Sequence, residues 1–498
     1  MASDLPDFMF RRVLVMRRWL VVIGGVAIMA GCGGSALVSG PSPTPSPSPS
    51  PSPGPQGLFV PAGAVLYGAI AQERPNACYP LEEAARFALL DLSMYLAGRT
   101  SRWCGTPDRP LQVLRGLNPT SVILLYRIAP AELNWTGGRG PVSGREYFDR
   151  LRQTNGIGSQ DRWFAVGERT GDYLVDMYYP QYVAMELGNT NWRRFWTEQG
   201  WEDMWGQNPL VDARGASGIF VDGAVMVPYS NFPFCPMSAW DGTRCGVDRD
   251  YPDTYWDGAT RNDALWRQHM VQFIEEVVPW HRARGLQVMF NAWTLNSEYV
   301  SLLNRTGGHA MEECGFVCDS RFPPDPRNWL RRLGNLQQAT NFAILNTNAI
   351  VATSGSGRSR MDAVVWNGMR GWDVLWFAMT SFLLGYDPDR RNGYFHFTVA
   401  PDDRSYYRDT YWFDEYDPRY LHLGRPRGPA QQLSTGVWQR EFDRGWVWVN
   451  PTGAERDVTV PSGTVRVLDH DTFRTPEAAQ PVGSFRLGPW RGVIGLRP

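Results

Sequence analysis

The chain has 498 residues, 43% of them hydrophobic, with a formal net charge of -1. That is enough apolar material for one large core and a smaller one, without the positive excess that nucleic acid or an anionic surface demands. All 49 basic residues are arginine, which excludes a Schiff-base lysine, a pyridoxal-phosphate anchor and a Walker-A phosphate loop; six scattered histidines contain no HExxH pair, so neither a metal nor a cofactor is expected.

The first segment reads as an address. Arg11, Arg12, Arg17 and Arg18 precede an apolar run from Trp19 to Met29 that is too short for a mature membrane span. The run ends in Met29-Ala30-Gly31-Cys32, which resembles a bacterial lipobox with Cys32 as the lipidated residue. A signal peptide over 1–31, export, and a lipid anchor at the cell surface are therefore expected; an uncleaved anchor is the alternative. Residues 32–57 form a linker whose stretch PSPTPSPSPSPSPGP, Pro41 to Pro55, has nothing to bury. In polyproline II it would span about 45 Å. The remaining six cysteines fall into near pairs, Cys78 with Cys104, Cys235 with Cys245, and Cys314 with Cys318. Three local disulfides fit an oxidising compartment, although six cysteines allow 15 connectivities, and Cys314 with Cys318 could also serve a metal.

From residue 58 to 427, apolar runs alternate with amphipathic stretches. Strands are expected at Phe87–Leu92, Ser121–Arg127, Tyr173–Met177, Gly218–Ala224, Leu286–Trp293, His309–Glu313, Phe342–Asn346 and Gly393–Phe397. Between them, Leu265, Met270, Phe273, Ile274 and Val277 mark one helical face that Gly285 ends. About eight such alternations predict an α/β fold, a (β/α)8 TIM barrel; no glycine-rich loop follows the first strand, as a dinucleotide-binding sheet would require. From Gly428 to Pro498, period-two runs at Val437–Phe442, Gly445–Asn450 and Asp457–Val460 predict a small antiparallel β-sandwich.

The chemistry centres on GIFVDGA, residues 218–224. A buried strand ends in Asp222, and Gly223 turns the chain out of the sheet. In a parallel barrel, groups at the C-terminal strand ends face one site. Asn291 with Trp293 end the next strand, and Glu312-Glu313 the one after. Paired carboxylates are the minimum for cleaving a glycosidic bond. Strand alternation allows only one of the two glutamates to face the site. Glu312 is taken as the proton donor and Asp222 as nucleophile or base, with Glu313 packed sideways or hydrogen-bonded behind the groups that touch substrate, and Asn291 on a substrate hydroxyl or on Asp222. The bland alternatives are a turn cap for Asp222 and an arginine ion pair for Glu312. Asp91, Tyr126, Arg127, Asp176 and His396 lie near expected strand ends and join Trp293 as candidate substrate contacts. Twenty-two tryptophans, several in expected loops (Trp135, Trp240, Trp256, Trp372), offer platforms for the apolar faces of sugars.

Taken in order, GIFVDGA, VMFNAW, AMEECGF, DVLWFAMTSFLLG leading to GYFHF, and WQREFDRGWVWVNPTG resemble TIM-barrel glycoside hydrolases, specifically the hypothetical glycosyl-hydrolase-like families related to endo-α-1,4-polygalactosaminidases. The resemblance runs from Phe59 to Pro498. It implies a polysaccharide or oligosaccharide substrate, Asp222 as the acidic residue after the fourth strand, Glu312 as the acid two strands on, and an accessory C-terminal β-domain. The rival reading is a non-catalytic polysaccharide-binding lipoprotein on the same scaffold. An esterase or deacetylase would need a GxSxG elbow or a metal cluster, and the sequence has neither.

Overall fold

The computed structural model describes residues 60–66, 79–92, 110–129, 131–133, 144–176, 182–199, 215–226, 234–240, 245–246, 250–256, 260–292, 295–317, 322–350, 357–399 and 410–498. The expected leader, Cys32 and the Pro/Ser linker lie outside them, as do Cys78, Cys104, Trp135, Trp293 and Cys318.

Eight strands run parallel in sequence order: β1 (Gly63–Val65), β2 (Leu89–Leu92), β3 (Val122–Ile128), β4 (Gly218–Asp222), β5 (Gln287–Asn291), β6 (His309–Glu312), β7 (Ile344–Ile350) and β8 (Gly393–Val399). The sheet closes on itself, because Ala62 bridges Phe395 in parallel and the Phe395 amide donates to Pro61 O at 2.9 Å. This is the expected TIM barrel. One expected strand lies elsewhere. Leu174–Asp176 belongs to a separate antiparallel sheet with Ala131–Leu133, Tyr182–Ala184 and Phe234–Pro236. That sheet is built from the excursions after β3 and β4, and the Cys235–Cys245 disulfide, with its Cα atoms 5.7 Å apart, closes its last turn. The count of eight is made up by β1, whose three residues are too few to show a period.

The barrel interior is sealed by side chains at every second position. Val65, Leu89, Leu124, Phe220, Met289, Met311 and Leu345 form one buried cluster, with Tyr394 packed against it. The outer faces of the strands pack on helices. In Asp263–Arg282, Asn262 caps the first turn by accepting from the Leu265 amide at 3.0 Å, and the buried face includes Trp266, Met270, Phe273 and Val277. Gly285, at φ 72°, turns the chain into β5.

The C-terminal region is the expected small β-sandwich. Its larger sheet is antiparallel in the order Gln431–Gln432, Trp438–Phe442, Gly445–Val449, Gly492–Leu496, Val465–Leu468, Pro481–Val482, and Arg456–Thr459 pairs with Ser484–Leu487 beside it. Val437, Trp446, Trp448, Val458, Val465 and Leu487 are buried among these strands. The helix Gly371–Gly385 lies between this unit and the barrel, which is why it is apolar nearly all round. Gly492 allows a close approach: a Cβ there would collide with Thr380 Oγ1. The Arg440 guanidinium donates to Leu383 O at 3.0 Å and Tyr386 O at 2.5 Å, satisfying carbonyls at the helix C-terminus.

Candidate active site

The rule that seals the barrel also builds its mouth. Two residues beyond each sealing residue, the side chain again points inward. From Leu89, Leu124 and Phe220 that step reaches Asp91, Tyr126 and Asp222. From Met289, Met311, Leu345 and Tyr394 it reaches Asn291, Glu313, Thr347 and His396. A polar ring therefore lies on an apolar floor, at the C-terminal ends of β2 to β8.

One arc of the ring is tightly bonded. Tyr126 Oη donates to Asp222 Oδ2 at 2.7 Å, and Asn291 Nδ2 and the Gly223 amide donate to Oδ1 at 2.9 and 2.8 Å. Gly223 holds φ 75°, and a Cβ there would meet Ala129 O at 2.3 Å, so the turn that presents Asp222 requires glycine. The same Asn291 Nδ2 donates to Glu313 Oε2 at 3.1 Å. One amide thus spans two carboxylates and leaves their nearest oxygens at most about 6 Å apart. With its two N–H bonds diverging as in a planar amide, the gap is roughly 5 Å.

The two glutamates exchange the places expected of them. Glu312 points out of the barrel onto the helix Pro326–Gln338, 1% exposed, with Arg331 and Arg332 at 3.4 and 3.6 Å and Asn335 at 3.5 Å. Burial pushes its carboxyl up, against the pull of the two guanidiniums. Glu313 is the one that reaches the mouth. Its loop is pinned from β7: the Gly315 amide donates to Thr347 O at 2.7 Å, Phe316 to Asn346 Oδ1 at 3.3 Å and Val317 to Asn348 Oδ1 at 3.0 Å. A Cβ on Gly315 would meet Asn346 Oδ1 at 2.2 Å, so this position too is restricted to glycine.

The other arc holds several unpaired polar atoms. Asp91 is fully buried and neither carboxyl oxygen has a hydrogen-bond partner; burial, then the charge of Asp222, push it well above the usual carboxylate range. Thr347 Oγ1 and His396 Nδ1 are likewise buried without a partner. His396 Nε2 lies 2.9 Å from Thr410 Oγ1, and burial holds the ring neutral with its pKa lowered to about 3.

Asp91, Tyr126, Asn291 and His396 thus meet Asp222 in the mouth, whereas Arg127 and Asp176 do not. Arg127 is on the outer face of β3, where it donates to Trp196 O at 2.6 Å and stacks 4.0 Å over the Trp196 ring. Asp176 is in the added antiparallel sheet. Trp372 stacks on His470 of the sandwich at 3.8 Å, so it packs rather than lines the mouth. Cys314 is disulfide-bonded, and its expected partner Cys318 lies outside the described residues. Sequence reasoning passed over Thr347, a lone hydroxyl in the run Ile344–Ile350 whose one signal is its phase with Leu345.

Residues 115–446 match the model of a family described as hypothetical glycosyl hydrolase family 15. Among solved structures the chain is similar to a β-L-arabinopyranosidase from Geobacillus stearothermophilus, at 8% identity and a TM-score of 0.44 over 88% of this chain and 97% of that one. It is similar to a pullulanase from an Anoxybacillus species at 9% and 0.47, over 90% and 71%, and to an isomaltulose synthase from a Klebsiella species at 10% and 0.45, over 88% and 99%. A search of curated proteins finds no match.

Proposed function

The chain belongs to the hypothetical glycosyl hydrolase family 15, and from that premise we propose that it hydrolyses glycosidic bonds of a polysaccharide with retention of anomeric configuration, Asp222 acting as nucleophile and Glu313 as acid and base. The observation that carries this reading is the Asn291 bridge. Retaining enzymes hold their two carboxyl groups about 5–5.5 Å apart, whereas inverting enzymes leave about 6.5–9.5 Å for an intervening water. The gap set by the two Asn291 hydrogen bonds suits the first class.

The steps follow from the positions. The Asp222 carboxylate attacks the anomeric carbon while Glu313 gives its proton to the departing glycosidic oxygen, so one C–O bond forms as the other breaks. Glu313, now a carboxylate, takes a proton from water as that water attacks the same carbon and frees Asp222. Tyr126 and Asn291 fix the two Asp222 oxygens, which keeps the nucleophile from turning away between steps. On a polysaccharide that the protein cleaves, proton NMR of the first-formed reducing end is expected to show the anomer of the bond broken. Initial appearance of the opposite anomer would remove the double displacement and Asp222 as nucleophile.

The reading includes a surface location through lipid on Cys32. It is supported by the Met29–Cys32 motif, the Pro/Ser stalk and a disulfide of the kind that oxidising compartments favour. Labelled palmitate is expected to enter the wild-type chain and not the Cys32→Ala chain; equal labelling of both would remove the anchor at this residue.

A further inference from the structure

Strand β7 carries two asparagines where a barrel strand usually turns apolar side chains onto the helices. Leu345 and Thr347 point inward, so Asn346 and Asn348 lie on the outer face, 1% and 0% exposed. Asparagine is a poor strand former, and a buried amide costs free energy unless its hydrogen bonds are made. The reason for both lies on β6. Ala310 N donates to Ala343 O, so an unbroken ladder would bring the Cys314 amide to Thr347 O; the Gly315 amide is there instead, at 2.7 Å. One residue too many lies between Glu312 and Gly315, which makes a β-bulge at Glu313-Cys314. Bulges are rare in parallel sheets, and beside active sites they re-aim a side chain. Past the bulge, two backbone amides turn to side chains. Phe316 N donates to Asn346 Oδ1 at 3.3 Å and Val317 N to Asn348 Oδ1 at 3.0 Å. Asn348 Nδ2 in turn donates to Asn346 O and Oδ1, both at 3.1 Å, and to His396 O on β8 at 3.2 Å. One side chain thus ties the bulged loop to β7 and β8. A Cβ on Gly315 would collide with the Oδ1 atoms of both asparagines, so the loop is seated directly on the pair.

We propose that Asn348, with Asn346 beside it, is a positioning residue for Glu313: from the outer face of the barrel, the two amides hold the bulge that brings this carboxylate to Asn291 and the mouth. The inference rests on the hydrolase reading for the role of Glu313 as acid and base, and on the bulge and its hydrogen bonds alone for how that residue is placed. Asp222 is held from elsewhere, by Tyr126, Asn291 and the Gly223 amide. Loosening the bulge therefore misplaces the acid while the nucleophile stays, and a misplacement of about 1 Å costs about 10²-fold in rate.

The test compares the full wild-type chain with Asn348→Leu, which keeps the volume and deletes the hydrogen bonds, and with the milder Asn346→Ala, which frees Phe316 N and leaves Val317 tied. The substrates are phenyl glycosides, whose departing oxygen needs a proton, and 2,4-dinitrophenyl glycosides, whose anion leaves without one. Both are made from glucose, galactose and N-acetylgalactosamine, in each anomer and as short oligosaccharides. On the phenyl substrate, kcat/KM is expected to fall about 10²-fold in Asn348→Leu and about tenfold in Asn346→Ala, while on the dinitrophenyl substrate it stays within about threefold of wild type. Azide should raise kcat of Asn348→Leu on the dinitrophenyl substrate, because the misplaced base no longer serves water. Crystal structures of the variants should show the Asn291–Glu313 bond lost and the Asn291–Asp222 bond kept. A merely structural role would lower both substrates by one factor, the fraction of chain folded. Equal losses on the two substrates, or an Asn291–Glu313 bond unchanged in the variant crystals, would each overturn the proposal. The two readings fail separately. A wild type inert on every glycoside, with the Asn291–Glu313 bond still lost in the variants, would remove hydrolysis of these sugars and keep the tie that places Glu313. Cleavage at the same rates in wild type and both variants would keep hydrolysis and remove the tie.

Discussion

Asp222→Asn is expected to lower kcat by about four orders of magnitude or more, since a missing nucleophile leaves only binding and electrostatic effects to act on the bond. Glu313→Gln should cost about 10²- to 10⁴-fold, the usual contribution of a positioned acid and base. Both changes keep volume; at position 222 the remaining amide oxygen still accepts from Asn291 and Gly223, while the new NH2 group donates to Tyr126 Oη with that hydroxyl turned round, and both proteins should melt near the wild-type temperature. The double displacement adds a sharper signature. In Glu313→Ala, a sugar with a good leaving group can still load Asp222, and the intermediate then waits for a base that is absent. Azide, which needs no base to attack, should restore turnover and yield a glycosyl azide with the anomeric configuration of the substrate. Wild-type rates in Asp222→Asn, or a Glu313→Ala chain indifferent to azide on such a substrate, would take that residue out of the mechanism. Loss of turnover in both mutants with polysaccharide affinity intact also separates the enzyme from a binding protein on the same scaffold, which would be indifferent to both.

How far this site could be read in the sequence depended on local signals of strand phase. Asp222 was legible because three apolar residues and a turn glycine bracket it, and Gly223 does hold the left-handed conformation. The choice between Glu312 and Glu313 was not. Alternation requires that one face in and one out, but Ala310 and Met311 are both apolar and both buried, so β6 carries no mark of which is which. The phase is fixed only when Met311 joins the sealing cluster. Arg127 misled for a related reason. A charge at a strand end looks functional, whereas its partner, the Trp196 ring 69 residues away, is a tertiary fact. The strand count came out right through two offsetting errors, the added sheet at Leu174–Asp176 and the short β1. Asp222 therefore remained on the fourth strand, and the barrel was predicted correctly with one of its walls misplaced. The sandwich was easier to read, because Trp438–Phe442 and Gly445–Val449 form a hairpin whose period and turn lie within one short window.

Glu312 is expected to behave in the opposite way to its neighbour, costing stability and sparing chemistry. It is 1% exposed at the head of a buried cluster in which Arg332 is 7% exposed and Asn335 is buried. Arg331 and Asn335 also bond to Leu295 O, so the helix Pro326–Gln338 is tied both to β6 and to the start of the helix Ser297–Thr306. Removing the carboxylate leaves the Arg332 guanidinium buried without a counter-charge, its pKa already lowered to about 10 by burial. Breaking a buried pair in this way costs about 3–5 kcal/mol, more than most single changes in a protein. Glu312→Ala should therefore shift the denaturant midpoint well down while leaving kcat of the folded enzyme near wild type. The loss belongs to the stranded charge rather than to the missing glutamate, so Arg332→Met should recover part of it in the double mutant, a coupling that two independent surface sites would not show. The comparison also decides which glutamate serves the bond. A Glu312→Gln chain that melts like wild type and has lost turnover would return the proton donor to Glu312, and would place Glu313 among the groups that only shape the mouth.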